Sequence, residues 1–233
     1  MITIEVAGLA IALDNKFPYT ERLCREYLTD KKPLFTVCAT NEEMERERGV
    51  SEYDYPDGYI ESIVLYRKIA EKLPEYDAFV FHGAILSYEG EAYAFTARSG
   101  VGKTTHTRLW LSRFGDKVHY LNGDKPIIRF IDGVPYACGT PYMGKEGYGC
   151  NEIAPLRSIA FLERAQENRA ERADKELSTV KLLLQIYLPK QAGAAVATMA
   201  LADRLLDSVG LVNLYVNMND DAPLVAMRAM CEK

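Results

Sequence analysis

Apolar positions recur along this chain in two rhythms. Ile60, Ile63, Val64, Tyr66, Ile69 and Ala70 fall three or four residues apart, which puts them on one helical face and predicts an amphipathic helix over 59–73, running up to Pro74. From Asp77 the texture changes to short apolar runs punctuated by turn residues: 78–81, 84–88, and 91–96 after the Glu89–Gly90 turn. These read as strands. Strands are also predicted over 117–121 and 158–162, at 127–131 paired with 135–138 across Asp132–Gly133, and at 212–216. Helical spacing returns over 173–187 and 197–209, and Pro223 is placed to open a last helix.

The first part of the chain has a different pattern. Residues 2–13 suggest a strand pair around Gly8, and 20–27 a short helix. Thr40 with Glu43 has the spacing of a capping box opening the charged stretch to Arg48, with Gly49 placed to end it. Residues 52–58, with Pro56 and Gly58, read as a loop. The expected organisation is a small α+β region over 1–75, serving acceptor recognition or subunit contact, followed by an α/β core over 76–233 with a mixed sheet. Strands alternating with helices support that core, and no internal repeat is evident.

Composition narrows the classes. The 233 residues are 48% hydrophobic and carry 28 Lys+Arg against 33 Asp+Glu, a formal charge of −5. A sizeable core is affordable, and disorder is excluded as the main state. The acidic balance gives no footprint for nucleic acid or an anionic membrane. The longest apolar stretch, 192–202, is broken by Thr198 and far shorter than the roughly 18 residues of a spanning helix. The N-terminus lacks the basic start of a secretory signal, so a cytoplasmic location is expected. Five cysteines at 24, 38, 138, 150 and 231 show neither a CxxC pair nor a histidine at ligand spacing, which predicts reduced thiols.

The most informative segment is Phe95-Thr96-Ala97-Arg98-Ser99-Gly100-Val101-Gly102-Lys103-Thr104-Thr105, a P-loop (Walker A) pattern with Ala97 in the first glycine position. A strand leads into it and a helix over 103–114, with Leu109 and Trp110 inward, leads out. Small residues let successive backbone N–H groups turn toward phosphate oxygens at a positive helix terminus. Ser99, Gly100, Val101, Gly102, Lys103, Thr104 and Thr105 are therefore the expected nucleotide-binding residues. Lys103 supplies a point charge for the β- and γ-phosphates, and the Thr104 hydroxyl is placed for Mg²⁺. Such a loop requires a carboxylate at a neighbouring strand end. Asp124, about twenty residues on in Asn122-Gly123-Asp124-Lys125-Pro126, is the candidate; the plain alternative is a turn residue beside Gly123.

Phe81-His82-Gly83 before a hairpin, Ser99-Gly100-Val101-Gly102-Lys103-Thr104 directly after it, and Gly123-Asp124 at the next strand end occur in one order. In that order the chain resembles the superfamily of HPr kinase/phosphorylase and ATP-dependent phosphoenolpyruvate carboxykinase. The His-Gly, hairpin, P-loop succession is closer to HPr kinase, and the run Gly102-Lys103-Thr104-Thr105 is closer to the carboxykinases. The resemblance covers about residues 78–165, fades toward 216 and does not extend to 1–75.

It implies ATP and Mg²⁺ as cofactors, Asp124 as general base on a substrate hydroxyl and second metal ligand with Thr104, and His82 near the transferred phosphate. The segment 139–149 is similar to the glycine-rich loop facing the substrate in HPr kinase, with Lys145 placed to stabilise transferring charge. His82 as a buried strand-end histidine and Lys145 as a solvated loop lysine are the plain alternatives. His106, following the loop, is either near the nucleotide or on the surface; His119 is a weaker candidate; Glu146, Arg98 and Lys125 remain secondary. The chain departs from HPr kinase in having Gly123–Asp124 where that family has two adjacent acids, and Thr105 where it has an acid.

The implied activity is transfer of the ATP γ-phosphate to a hydroxyl on a small molecule such as a free amino acid, or on a peptide or protein Ser/Thr. Alternatives are a nucleotide-binding regulatory switch and, less favoured because this chain is short for it, a phosphoenolpyruvate carboxykinase. The partners expected are a nucleotide and a hydroxyl acceptor, with self-association into a homo-oligomer left open.

Overall fold

The computed structural model describes residues 1–51, 53–98 and 100–231. Strands β1 (Ile2–Val6) and β2 (Leu9–Asp14) form an antiparallel hairpin whose two turn residues, Ala7 and Gly8, both have positive φ, as a tight hairpin loop requires. Helix α1 (Pro18–Leu23) begins with proline in its first turn and passes into a 3-10 turn at Arg25–Tyr27, so the single helix expected over 20–27 is two pieces. Strand β3 (Phe35–Cys38), which no sequence pattern announces, lies parallel to β2.

Helix α2 (Asn41–Val50) starts at the expected capping box: Glu43 N donates to Thr40 Oγ1 at 3.2 Å and Thr40 N donates to Glu43 Oε2 at 2.9 Å. It runs through Gly49, expected to end it, and caps at Ser51. Helix α3 (Asp57–Lys72) likewise starts inside the expected loop 52–58, of which Glu52 lies outside the described residues. Gly58 serves packing rather than a turn. A Cβ there would come within 2.6 Å of Tyr19 Cβ, so only glycine lets α1 lie this close to α3.

The larger sheet comprises β4 (Ala78–Val80), β5 (Ala84–Tyr88), β6 (Glu91–Thr96), β7 (Val118–Asn122), β8 (Ile127–Ile131), β9 (Val134–Cys138), β10 (Ile153–Arg164), β11 (Arg169–Arg172) and β12 (Gly210–Val216). Its order is β4-β8-β9-β10-β6-β5-β7, with β12 also on β10 and β11 on β12. β10 is parallel to β6 and β12 and antiparallel to β9, so the sheet is mixed. At 12 residues it far exceeds the run expected at 158–162, because its first residues pair with β9 and its later ones with β6 and β12. β11 is a polar edge strand defined by its partner β12, and nothing in Arg-Ala-Glu-Arg signals it.

Helix α4 (Lys103–Phe114) follows β6; α5 (Lys175–Leu183), α6 (Ala192–Ser208) and α7 (Ala222–Cys231) complete the described helices. α5 stops short of the expected 187 because Gln185 and Ile186 are drawn into backbone pairing with His82 and Phe81. Alternation along β10 shows how the layers form. Ile159 and Phe161 join a cluster with Leu201 and Leu205 of α6, whereas Ala160 and Leu162 join Trp110 of α4 and Ala226 of α7. Since successive side chains point to opposite faces, helices cover both sides of the sheet. A third cluster gathers Ile4, Ile11, Leu13, Ile60 and Ile69 and continues into Ile127 and Cys138. The chain is thus mixed α/β. Among the described residues no helix is long and apolar enough to cross a membrane, and none of the five cysteines is in a disulfide.

Candidate functional site

Asn122, the last residue of β7, is fully buried. Its Oδ1 accepts from the backbone N–H groups of Asp124 and Lys125, both at 2.8 Å, and its Nδ2 donates to Thr140 O and Oγ1 at 3.1 and 3.0 Å. This side-chain bridge holds the turn 123–125 and makes Asp124 a rigid projection of the strand end. Pro126 follows, and its carbonyl accepts from Phe81 N at 3.0 Å; Asp124 O accepts from Gly83 N at 3.0 Å. The His82–Gly83 turn is thereby stitched to Asp124.

His82 Nε2 lies 3.4 Å from Asp124 Oδ1, and Lys125 Nζ 3.5 Å from Oδ2. The His82 side chain is 46% exposed, which removes the buried-histidine reading. Its backbone is fixed from both sides: its N–H donates to Gln185 O at 2.6 Å, and its carbonyl accepts from Thr96 Oγ1 at 3.0 Å. Gly83 is required by crowding, since a Cβ would clash with Phe81 Cε1 and lie 2.9 Å from Phe95 O. Burial acts to push the Asp124 carboxyl up, but His82 and Lys125 together outweigh it and hold it below the ordinary carboxylate range.

Thr96 ends β6, and α4 begins at Lys103. Gly100 and Gly102 have φ of 78° and 122°, conformations that side-chain-bearing residues rarely adopt. Gly102 caps α4 without any side-chain hydrogen bond to the helix amides. Those amides and the helix dipole are suited to an anion. Lys103 is half-buried and its Nζ donates to Ala97 O at 3.1 Å; burial lowers its pKa, and the charge of Asp124 opposes that shift. Thr104 and Thr105 are exposed on the first turn, as is Arg98 in the loop, and Val101 packs against the core around Trp110. Ser99 lies outside the described residues.

Other expectations meet mixed outcomes. Gly144 approaches Asp124 so closely that a Cβ there would sit 3.0 Å from Asp124 Cβ, while Lys145, next in the chain, is exposed in the turn 144–147. Glu146 pairs instead with Arg108 at 3.0 Å. His106 is not on the surface. It is 2% exposed, its Nε2 accepts from Trp110 Nε1 at 3.1 Å, and burial lowers its pKa to about 4. The first turns of α4 point this position inward against Phe95 and Trp110, a packing outcome that local spacing does not specify.

Sequence reasoning missed three contributors. Asn122 carries no motif signal apart from standing two residues before Asp124. Arg164, at the end of β10, donates from Nε to Val101 O at 2.9 Å and from Nη2 to Gly100 O at 2.5 Å, pinning the loop from the adjacent parallel strand. Tyr66 of α3 donates its hydroxyl to Lys125 O at 2.7 Å and stacks on Tyr142, with ring centroids 3.8 Å apart. Both contacts span too much sequence to be legible locally. Beside this constellation, a cavity of about 460 Å³ opens between α1 and the 141–149 segment, lined by Arg22, Arg25, Glu26, Tyr27, Met143 and Gly144 among others.

The arrangement sets an ionised carboxylate, flanked by an imidazole and an ammonium, near an amide-rich loop that carries a second ammonium. No family model and no curated protein matches the chain. Among solved structures it is similar to the Hpr(Ser) kinase/phosphatase from Coxiella burnetii, with a TM-score of 0.38 and 10% identity over 63% of this chain and 85% of that one. At that level of likeness, the functional reading rests on the site itself.

Proposed function

We propose that the protein is a P-loop phosphotransferase of HPr-kinase-like type that moves the γ-phosphate of ATP to a hydroxyl acceptor. The observation that carries this is the fixed placement of Asp124 beside His82 at the strand end, with its charge acting on Lys103 of the glycine loop. The loop amides and Lys103 bind the nucleotide phosphates, and the acceptor hydroxyl approaches from the cavity lined by Arg22, Arg25 and Gly144. Asp124 takes the hydroxyl proton. The acceptor oxygen then forms its bond to the γ-phosphorus while the bond from that phosphorus to the bridging oxygen breaks, and ADP leaves.

Thr104 and Asp124 offer hard oxygen donors suited to Mg²⁺, which when bound neutralises phosphate charge. In the structure His82 and Lys125 already engage the two Asp124 oxygens, so metal ligation by this carboxylate requires one of them to move aside. Lys145 is assigned the role of closing on the transferring phosphate, since its neighbour Gly144 lies so close to Asp124 that a Cβ there would meet it at 3.0 Å.

The test is transfer from γ-labelled ATP, with Mg²⁺, to a panel of serine, threonine, sugars and Ser-containing peptides. Labelled acceptor is expected, with Asp124→Asn about 10²–10⁴-fold slower but still binding nucleotide, and Lys103→Ala losing both. Nucleotide binding without any labelled acceptor, and unchanged behaviour of Asp124→Asn, would replace the transferase by a regulatory switch.

A further inference from the structure

His119 faces outward from β7, and Cys150 and Glu152 stand on the segment leading into β10. His119 is distant in sequence from the other two, yet one donor atom from each, an imidazole nitrogen, the thiol sulfur and a carboxylate oxygen, all lie within 4.8 Å of one another. No other group of three such side chains is gathered this closely among the described residues. The expectation that no histidine stands at ligand spacing to the cysteines holds along the sequence and fails in space.

The backbone around the three is fixed on both sides. Cys150 N donates to Leu121 O at 3.2 Å, Gly139 N donates to Glu152 O at 2.9 Å, and Asn122 bridges Gly149. From the N-terminal region, Tyr27 Oη donates to Cys150 O and Asn151 Nδ2 to Glu26 O, each at 3.0 Å. The donors therefore converge on a frame already built, so little ordering of the chain remains to be done when a ligand arrives. His119 and Glu152 are about half exposed, at 50% and 56%, which leaves access from solvent and an open coordination position.

We infer that His119, Cys150 and Glu152 form a three-ligand site for a Zn²⁺-class transition metal, separate from the Asp124 constellation. The donor set decides the class. One imidazole, one thiolate and one carboxylate suit a borderline ion of tetrahedral preference, with water in the fourth place, whereas Mg²⁺ and Ca²⁺ require oxygen ligands throughout. On binding, the Cys150 thiol gives up its 3.4 Å hydrogen bond to Tyr120 O and its proton to solvent, and the His119–Glu152 contact, 2.8 Å between Nε2 and Oε2, opens to admit the ion. The metal would tie the edge strand β7 to the 139–152 segment.

The experiment uses the full chain, stripped of metal and without nucleotide. Co²⁺ is the spectroscopic probe, and Zn²⁺ competes against it. Expected are one equivalent bound per chain, a thiolate-to-Co²⁺ charge-transfer band that Zn²⁺ but not Mg²⁺ abolishes, and loss of that band in Cys150→Ser. Zn²⁺ affinity should fall at least about tenfold in both His119→Gln and Glu152→Gln, by analogy with the cost of losing even outer-shell partners. The two glutamine variants change exposed side chains and keep the fold, so they decide the matter even if Cys150→Ser is unstable. A band that survives Cys150→Ser, which would point to exposed Cys38, overturns the proposal. So does wild-type Zn²⁺ affinity in the glutamine variants, or the absence of any thiolate band.

Discussion

At the scale of single residues, the contrast between His82 and His106 shows how much the same side chain depends on what surrounds it. His82 stays half-exposed beside a carboxylate, whereas His106 is sealed between Phe95 and Trp110, with no protein partner for its Nδ1 among the described residues. Burial lowers the His106 pKa from 6.5 to about 4. Its folded value is depressed, so the unfolded chain binds the proton first, and stability present above pH 6.5 is lost as the pH falls toward 4. The loss from this one group is on the order of 3 kcal/mol at the lower end. Urea unfolding of wild type and His106→Phe at pH 7 and pH 5 checks it: the wild type should lose more stability between the two, since carboxylate titration is common to both. Equal losses would mean the imidazole is hydrated in the folded state.

At the scale of elements, most strands and helices follow from periodicity and turn chemistry, and the departures have packing causes. Gly49 and Gly58 look like punctuation in sequence, but the first stays inside α2 and the second lets α1 approach α3. The α1–α3 junction also depends on one buried carboxyl group. Glu61, with no exposure, accepts from Lys16 N at 2.6 Å, Phe17 N at 3.2 Å and Thr20 Oγ1 at 2.9 Å. Glu61→Ala leaves the buried Thr20 hydroxyl and two part-buried backbone N–H groups without their acceptor and is expected to cost about 2–4 kcal/mol, read as a lowered urea midpoint with unchanged slope. A loss below about 1 kcal/mol would mean that α1 docks through apolar contacts alone.

At the scale of the whole molecule, the apolar cluster of the first sheet runs into Ile127 and Cys138, and the Tyr66–Tyr142 stack carries that contact to the turn bearing Asp124. Residues from the first 75 positions thus buttress the candidate site directly. Tyr66→Phe removes one buried hydroxyl and leaves Lys125 O without this donor. Stability should fall by about 1 kcal/mol, and phosphate transfer should slow while nucleotide affinity is kept. Isothermal titration beside the transfer assay separates the two effects, and a proportional loss in both would assign Tyr66 to the fold alone.

The sequence by itself determined the alternation of strands and helices, the glycine loop between β6 and α4, the capping box of α2 and the candidacy of Lys103 and Asp124. These are local: side-chain periodicity, backbone freedom at glycine and hydrogen bonding within a few residues are written in neighbouring letters. Only the tertiary structure decided that Asn122 locks the Asp124 turn, that Arg164 holds the loop, that His106 is buried and that His119, Cys150 and Glu152 converge. Each of these depends on which strands become neighbours and in what register. That choice is set by burial summed over the whole chain, and no short window of sequence contains it.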